Sequence, residues 1–88
     1  MEIQLKLYGS SKLLSDSETL LIQLPENSNV AKLRNTLTKI ISEKHSKSNL
    51  AGLSKTAAFF SEDDEVINDN YKLKNKELIS IIPPIGGG

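Results

Sequence analysis

The stretch NVAKLRNTLTKIISEK, residues 29–44, decides the fold. Its apolar residues recur every three or four positions, which predicts an amphipathic helix with one buried face. Asn29 precedes the first apolar residue, and its side chain can accept hydrogen bonds from the unpaired backbone N–H groups of the first turn, so we expect it to be the N-cap. The apolar residues at helical spacing are Val30, Leu33, Leu37, Ile40 and Ile41, and of these we expect Val30, Leu33, Leu37 and Ile40 to be buried.

Strand patterns lie on both sides of this helix. Before it, residues 3–8 and 19–24 alternate apolar and polar side chains, which predicts a hairpin with one buried face. After it, residues 57–60 and 66–67 are short apolar stretches separated by turn residues, and residues 77–82 form a longer apolar stretch that ends at a proline pair. This order predicts an α+β domain in which a mixed sheet packs on one main helix, with a right-handed crossover.

Length and charge limit the classes of function. The chain has 88 residues, which is one small domain near the lower limit for a self-sufficient core, so we expect it to work with a partner protein. Its 11 basic and 11 acidic side chains give no net charge, which argues against nucleic acid or an anionic membrane as partner. The sequence has no cysteine, no signal-peptide pattern at Met1 and no stretch long enough to span a bilayer, so we expect a cytoplasmic location.

Two polar features have simple structural interpretations. His45 is the only histidine, and no nucleophile is placed to form a triad with it, so we interpret it as a polar residue at a helix end. Residues 62–65, Glu-Asp-Asp-Glu, lack the ligand spacing and central glycine of a calcium loop, and we interpret them as a solvated turn. We therefore expect no metal site and no stably bound cofactor.

Strand parity brings several apolar side chains to the outer face of the sheet, away from the helix. If Ile79 and Ile81 face inward, Ile82 faces outward, and the same alternation turns Tyr8 and Phe60 outward. A contiguous exposed apolar patch marks a protein interface. We therefore predict a partner interface formed by residues that are exposed in the free chain, namely Tyr8, Phe60, Val66 and Ile82.

The chain ends in IIPPIGGG, residues 81–88, in which an apolar strand leads to a proline pair that stiffens the exit, and then to three glycines. A glycine run by itself would be a flexible end. In this context the stretch resembles the end of the small subunit of molybdopterin synthase, a MoaD-like sulfur carrier. That family typically ends in two apolar residues, Pro-Pro, an aliphatic residue, a small residue and Gly-Gly. Residues 57–59 and 73–79 also resemble the corresponding strand and turn of the family.

The resemblance implies a ubiquitin-like β-grasp domain over residues 1–84 and a flexible reactive tail over residues 85–88. It implies that a separate ATP-dependent enzyme adenylates the carboxylate of Gly88 and that a sulfur donor converts it to a thiocarboxylate, with Gly87 and Gly86 keeping the tail thin. The sulfur would go to a pterin precursor in the large synthase subunit, within a heterotetramer, in molybdenum cofactor biosynthesis. The chain would then be a carrier and not an enzyme by itself, and the activating partner would use the ATP.

Two positions depart from the family pattern. Lys76 stands where the family often has glycine in the turn before the last strand, and we expect a tight turn at Asn75-Lys76 in which the asparagine takes the positive φ. Gly86 is the variable small residue, so three glycines end the chain instead of two. We align the reactive end to Gly87 and Gly88.

Three other functions would use the same features. A ubiquitin-like protein modifier would be joined to lysines of other proteins through Gly88, with the same activated carboxylate. A sulfur carrier of thiazole synthesis is also a β-grasp protein with Gly-Gly, but such carriers are usually shorter and lack the proline pair. The third alternative is an interaction domain whose glycine end is only a flexible terminus, with no reaction at its carboxylate. Co-purification of a large synthase subunit would select the carrier, and lysine-linked adducts would select the modifier.

Overall fold

The computed structural model describes residues 1–45, 50 and 52–84. A hairpin comes first, a long helix follows, and three further strands come after it. The strands are β1 (Glu2–Leu7), β2 (Thr19–Gln23), β3 (Ala58–Phe60), β4 (Val66–Ile67) and β5 (Glu77–Ile82). The helices are α1 (Val30–Lys44) and the short α2 (Leu53–Thr56), and a 3₁₀ helix spans Gly9–Leu14. The predicted strands and the main helix all lie at their expected places in the chain.

The strands form one mixed sheet in the order β2-β1-β5-β3-β4. β1 runs parallel to β5, with Leu5 opposite Ile79, and the other neighbouring pairs are antiparallel. A parallel pair needs a long crossover connection, and here the crossover includes α1. The predicted α+β architecture, a mixed sheet on one main helix, is confirmed.

The core lies between α1 and the inner face of the sheet. Alternate residues of β1 and β5 point into it, and Ile3, Leu5 and Ile79 are fully buried. The Asn29 cap is confirmed, since its Oδ1 accepts a hydrogen bond from the backbone N–H of Lys32 at 3.0 Å. The residues of α1 that are buried are Val30, Leu33, Leu37 and Ile41.

The prediction that Ile40 lies on the buried face of α1 is wrong. Ile40 is half-buried at the margin of the core, whereas Ile41 is buried. At about 100° of rotation per residue, Ile41 comes just over one turn after Leu37 and stays on the same face, while Ile40 falls farther round toward solvent. Ile41 therefore continues the buried stripe.

Two helical segments are missing from the prediction. The 3₁₀ helix fills the loop between β1 and β2, where the polar sequence indicated only a break. The buried hydroxyl of Ser11 accepts from the Tyr8 N–H at 2.9 Å and donates to the Tyr8 carbonyl at 2.5 Å, and Leu14 is buried. α2 packs Leu53 into the core. Both segments are short and mostly polar, so neither shows an apolar periodicity long enough to predict.

The turn before β5 also differs from the prediction. Lys76, not Asn75, takes the left-handed conformation, with a φ of 65°. The Asn75 side chain instead accepts a hydrogen bond from the Glu2 N–H at 2.8 Å, and the Lys76 N–H donates to the Glu2 carbonyl at 2.6 Å. Asn75 is thus held by β1, and the strained conformation falls on a residue with a Cβ.

The burial of Leu37 gives a test of the helix register. Leu37→Ala is expected to lower the free energy of unfolding by about 2–5 kcal/mol, because the side chain is fully buried and its removal leaves a cavity. Urea unfolding followed by circular dichroism measures the change. Leu21→Ala is the control, since Leu21 is 58% exposed and should change the value by less than about 0.5 kcal/mol. Equal effects of the two substitutions would show that the register is wrong.

The left-handed Lys76 gives a second test. Lys76→Gly is expected to raise the free energy of unfolding by up to about 1 kcal/mol, because this conformation costs a residue with a Cβ about 1–2 kcal/mol and the greater freedom of unfolded glycine offsets part of the gain. Asn75→Gly is the control and should destabilise, because it removes the hydrogen bond to Glu2. Thermal unfolding of both variants measures the difference. A less stable Lys76→Gly variant would refute this account of the turn.

Candidate functional site

β5 lies in the middle of the sheet and leads directly into the proline pair. Ile81 is fully buried in the core, and Ile82 faces the other side of the sheet. Pro83 lies against Gly9, since a Cβ placed on Gly9 would be 3.5 Å from Pro83 Cγ. Gly9 also has a φ of 56°, which disfavours any residue with a Cβ. The start of the 3₁₀ helix therefore supports the chain where it leaves the sheet, a role that the sequence did not reveal.

The predicted reactive tail, residues 85–88, lies outside the described residues. The roles of Gly86, Gly87 and Gly88 stay predictions, as does the boundary between domain and tail. The structure does describe Ile82–Pro84, which we call the tail root. Ile82 and Pro83 are half-buried, and Pro84 is exposed. The sheet therefore holds the tail root, and the tail root ends at the surface.

The strand register brings the predicted interface residues to the outer face of the sheet. Phe60 pairs with Val66 on β4 and with Ser80 on β5, so these residues face the same side as Ile82, the next outward residue after Ser80. Tyr8 directly follows β1, the neighbour of β5 on its other side. We call Tyr8, Phe60, Val66 and Ile82 the outer patch. Its binding to a partner stays a prediction.

Exposure differs within the outer patch. Val66 is 68% exposed and Tyr8 is 37% exposed. Phe60 and Ile82 are half-buried, so the expectation of full exposure is wrong for these two residues. Both lie on strands with a neighbour on each side, and side chains of adjacent strands cover part of them. Within the outer patch, the most exposed side chains are therefore Val66, on the edge strand β4, and Tyr8, just after β1.

Lys6 lies next to Tyr8 on this face. Its Nζ is 5.5 Å from the centre of the Tyr8 ring, which is within the range of a cation–π contact. Hydrogen bonding to the Tyr8 side chain is the main cause that raises the pKa of Lys6. Lys6 therefore keeps a positive charge beside the outer patch at neutral pH.

Arg34 attaches β3 to the helix, although helical periodicity placed it on the polar side of α1. Its Nη1 donates to the carbonyl of Ala57 at 2.7 Å, and its Nε donates to Asp69 Oδ1 at 2.8 Å. The guanidinium also lies 4.8 Å from the centre of the Phe59 ring. These contacts hold the start of β3, and with it Phe60, in place. Periodicity misses this role because a long arginine stem can pack on apolar surface while its charged end reaches polar groups.

Glu77 fixes the start of β5. The Tyr71 hydroxyl donates to Glu77 Oε2 at 2.6 Å, and this hydrogen bond is the main cause that raises the pKa of Tyr71 to about 12. The backbone N–H of Lys74 donates to the other carboxylate oxygen at 2.8 Å. Glu77 is therefore a structural residue that ties the preceding loop to the central strand.

His45 and the acidic residues 62–65 are parts of the scaffold. His45 lies at the end of α1, and its backbone N–H donates to the Ile41 carbonyl at 2.9 Å. Residues 62–65 lie in the turn between β3 and β4, which is closed by a hydrogen bond from the Ser61 N–H to the Glu65 carbonyl at 2.9 Å. Within the described residues, no group of three or more metal-ligating side chains could hold an ion. In the same part of the chain, no helix is long and apolar enough to cross a membrane.

The strand order β2-β1-β5-β3-β4, with one main helix across the sheet, is that of the ubiquitin-like β-grasp fold. SAMP1 from Haloferax volcanii, small archaeal modifier protein 1, matches this chain with 14% identity and a TM-score of 0.70, and each chain is covered completely. The putative molybdopterin converting factor subunit 1 from Pyrococcus furiosus matches with 14% identity and a TM-score of 0.69, over 96% of this chain and 98% of that one.

A third solved structure is the complex of subunits 1 and 2 of the molybdopterin-converting factor from Helicobacter pylori 26695. A chain of this complex matches with 26% identity and a TM-score of 0.59, and the match covers 100% of this chain and 100% of that one. The sequence itself matches no protein-family model and no curated protein. The resemblance to the molybdopterin synthase small subunit, drawn from the last residues of the chain, is confirmed by these structural neighbours.

Proposed function

We propose that this chain is the sulfur-carrier subunit of a molybdopterin synthase and acts in molybdenum cofactor biosynthesis. The observation that carries the proposal is the position of β5, because this central strand leads to a tail root whose first residue, Ile82, belongs to the outer patch. A partner bound to the outer patch would receive the residues that follow Pro84. The structural likeness to molybdopterin converting factor subunit 1 supports the proposal.

The chemistry would take place at the carboxylate of Gly88. A free carboxylate is a poor acyl donor, so a separate enzyme would react it with ATP, forming an acyl adenylate and releasing pyrophosphate. A persulfide of the donor would then attack the acyl carbon, with AMP leaving, and form an acyl disulfide. A second thiol of the donor would reduce its S–S bond, which releases the thiocarboxylate and leaves a disulfide on the donor. Because the chain has no cysteine, no side-chain thiol competes to hold the sulfur.

The composition of the tail suits entry into a narrow cleft. An extended chain of four residues spans roughly 13 Å, which is enough to enter a partner's active site. Glycine has no Cβ to widen the tail, and the ring of each proline fixes φ at the tail root. The partner enzymes would bind ATP and the pterin precursor. This chain would be a co-substrate with no activity of its own.

The partner that we propose for the outer patch is the large subunit of the synthase, in a cytoplasmic heterotetramer. The H. pylori neighbour is itself a complex of subunits 1 and 2, which supports such an assembly. Val66 and Tyr8 offer the most accessible apolar surface of the patch, and Phe60 and Ile82 lie beside them. The activating and sulfur-transferring enzyme would be a second partner that uses the same tail.

Protein modification is the second candidate function. The observation that favours it is the structural likeness to small archaeal modifier protein 1. The activated carboxylate of Gly88 would acylate a lysine ε-amino group of a target protein and form an isopeptide bond, with AMP leaving. Mass spectrometry of proteins captured through this chain distinguishes the two functions, since the carrier co-purifies with a large subunit and the modifier leaves branched Gly-Gly adducts on lysines.

The outer patch gives the test of the carrier proposal. Val66→Asp is expected to weaken binding of the large subunit by more than about tenfold, because an unpaired charge would be buried in the interface. Val66 is 68% exposed in the free chain, so the fold should be unaffected. Ile82→Asp should weaken binding too, but it should also lower stability because Ile82 is half-buried. Isothermal titration calorimetry measures the affinity, and thermal unfolding measures the stability.

Leu21→Asp is the matched control for this test. Leu21 is 58% exposed on β2, at the opposite edge of the sheet from Val66 on β4, and its substitution should leave the affinity unchanged. If Val66→Asp binds as tightly as the wild-type chain, the outer patch is not the interface. If the wild-type chain itself does not bind a large subunit, the synthase assignment fails.

A further inference from the structure

β2 forms one edge of the sheet, at the side away from β4. Within the described residues, β1 is the only strand that pairs with it. An edge strand presents unpaired N–H and C=O groups that can bond to a strand of another chain. The backbone of β2 is therefore a candidate binding surface that the proposed function does not use.

The hydrogen-bond pattern identifies the backbone groups of this edge that point away from β1. Met1 and Leu24 exchange backbone hydrogen bonds of 2.6 and 2.8 Å, and the Leu7 N–H donates to the Glu18 carbonyl at 3.0 Å. Hydrogen-bonded pairs alternate along an antiparallel ladder, so the even-numbered residues of β2 point their backbone groups toward β1. The odd-numbered residues point theirs away from the sheet. These residues are Thr19, Leu21 and Gln23. The Thr19 carbonyl already accepts a hydrogen bond from the Ser17 hydroxyl at 2.6 Å.

The side chains of β2 do not protect this edge. Natural edge strands usually carry a charge, a proline or a bulge that prevents pairing. The sequence of β2, TLLIQ, has no charged residue and no proline, and its register with β1 is continuous. Leu21 is 58% exposed at the middle of the strand. The edge is thus apolar at its centre, where Leu21 lies.

We propose that β2 pairs antiparallel with β2 of a second copy of this chain, with Leu21 opposite Leu21. In this register Thr19 lies opposite Gln23 of the second copy, and each of the three outward-pointing residues donates its N–H and accepts at its C=O. The Thr19 carbonyl accepts this bond with its second lone pair, beside the bond from the Ser17 hydroxyl. The pairing is self-complementary, as a two-fold symmetric interface requires. On the outer face it places leucine against leucine, flanked by two polar pairs. On the inner face it places Leu20 against Ile22 of the second copy and so extends the core of each chain.

The dimer leaves the rest of the molecule accessible. The strand that carries the tail root, β5, is separated from β2 by β1, and Val66 of the outer patch lies on β4, at the far edge of the sheet. A pair of chains joined through β2 would therefore present two tail roots and two outer patches. This inference does not depend on the proposed function, because it uses only the free edge of β2.

The test is the self-association of the full chain, measured by sedimentation velocity at rising concentration. A reversible monomer–dimer equilibrium is expected, and it should be weak, because one strand pair buries less than about 1,200 Å². Leu21→Lys should raise the dissociation constant of the dimer at least about tenfold, since two ammonium groups would stand opposite each other. Leu13→Lys is the control, because Leu13 is 63% exposed but lies in the 3₁₀ helix, and it should leave the equilibrium unchanged.

Amide hydrogen exchange of the wild-type chain gives a second measurement that needs no variant. Exchange at Leu21 and Gln23 should slow as the concentration rises, while exchange at exposed amides outside β2 should not change. A chain that stays monomeric at about 1 mM would overturn the proposal. The partner of the β2 edge would then have to be a strand of another protein. A dimer that persists in Leu21→Lys, or concentration-independent exchange at Leu21, would also overturn it.

Discussion

The parallel pairing of β1 with β5 is the interaction on which the rest of the structure depends. It joins the first strand to the last through inward side chains that are fully buried, with Leu5 opposite Ile79. Parallel strands cannot be joined by a tight turn, so the chain between them crosses the sheet, and α1 covers the apolar inner face during that crossover. β2 then pairs with the free side of β1, and β3 and β4 extend the sheet beyond β5.

The same pairing explains why the candidate site lies where it does. Parallel strands end at the same edge of a sheet, so the end of β5 meets the residues that follow β1, and Pro83 lies against Gly9. The alternation of side chains then gives β5 an inward face that stabilises the domain and an outward face that joins the outer patch at Ile82. A tail root beside an accessible apolar surface is therefore a consequence of topology more than of any single side chain.

Apolar periodicity was enough to predict the strands, α1 and the faces of β1 and β5, because each of these features repeats over several residues. The Asn29 cap could be predicted from the chemistry of its side chain at the start of the helical pattern. It was not enough for features that depend on one contact between distant residues. Helical periodicity places Arg34 on the solvent side of α1, and only the fold shows its contacts with Ala57 and Phe59. Likewise, Lys76 takes the positive φ because the Asn75 side chain is held by Glu2. Of the candidate site, the shared face of the outer patch followed from strand parity. The half-burial of Phe60 and Ile82 did not, since it depends on neighbouring strands.

The mass of the intact chain tests the central claim, that this β-grasp protein carries sulfur on its last residue, most directly. After incubation with the activating enzyme, ATP and a sulfur source, exchange of one carboxylate oxygen for sulfur should raise the mass by about 16 Da, as covalent acyl activation requires. A variant that lacks Gly88 should fold normally and show no such rise, because the buried core that the structure describes lies between Ile3 and Ile81 and chain ends usually tolerate truncation. If the mass of the wild-type chain stays unchanged while the same enzyme activates a known carrier, the sulfur-carrier function is contradicted.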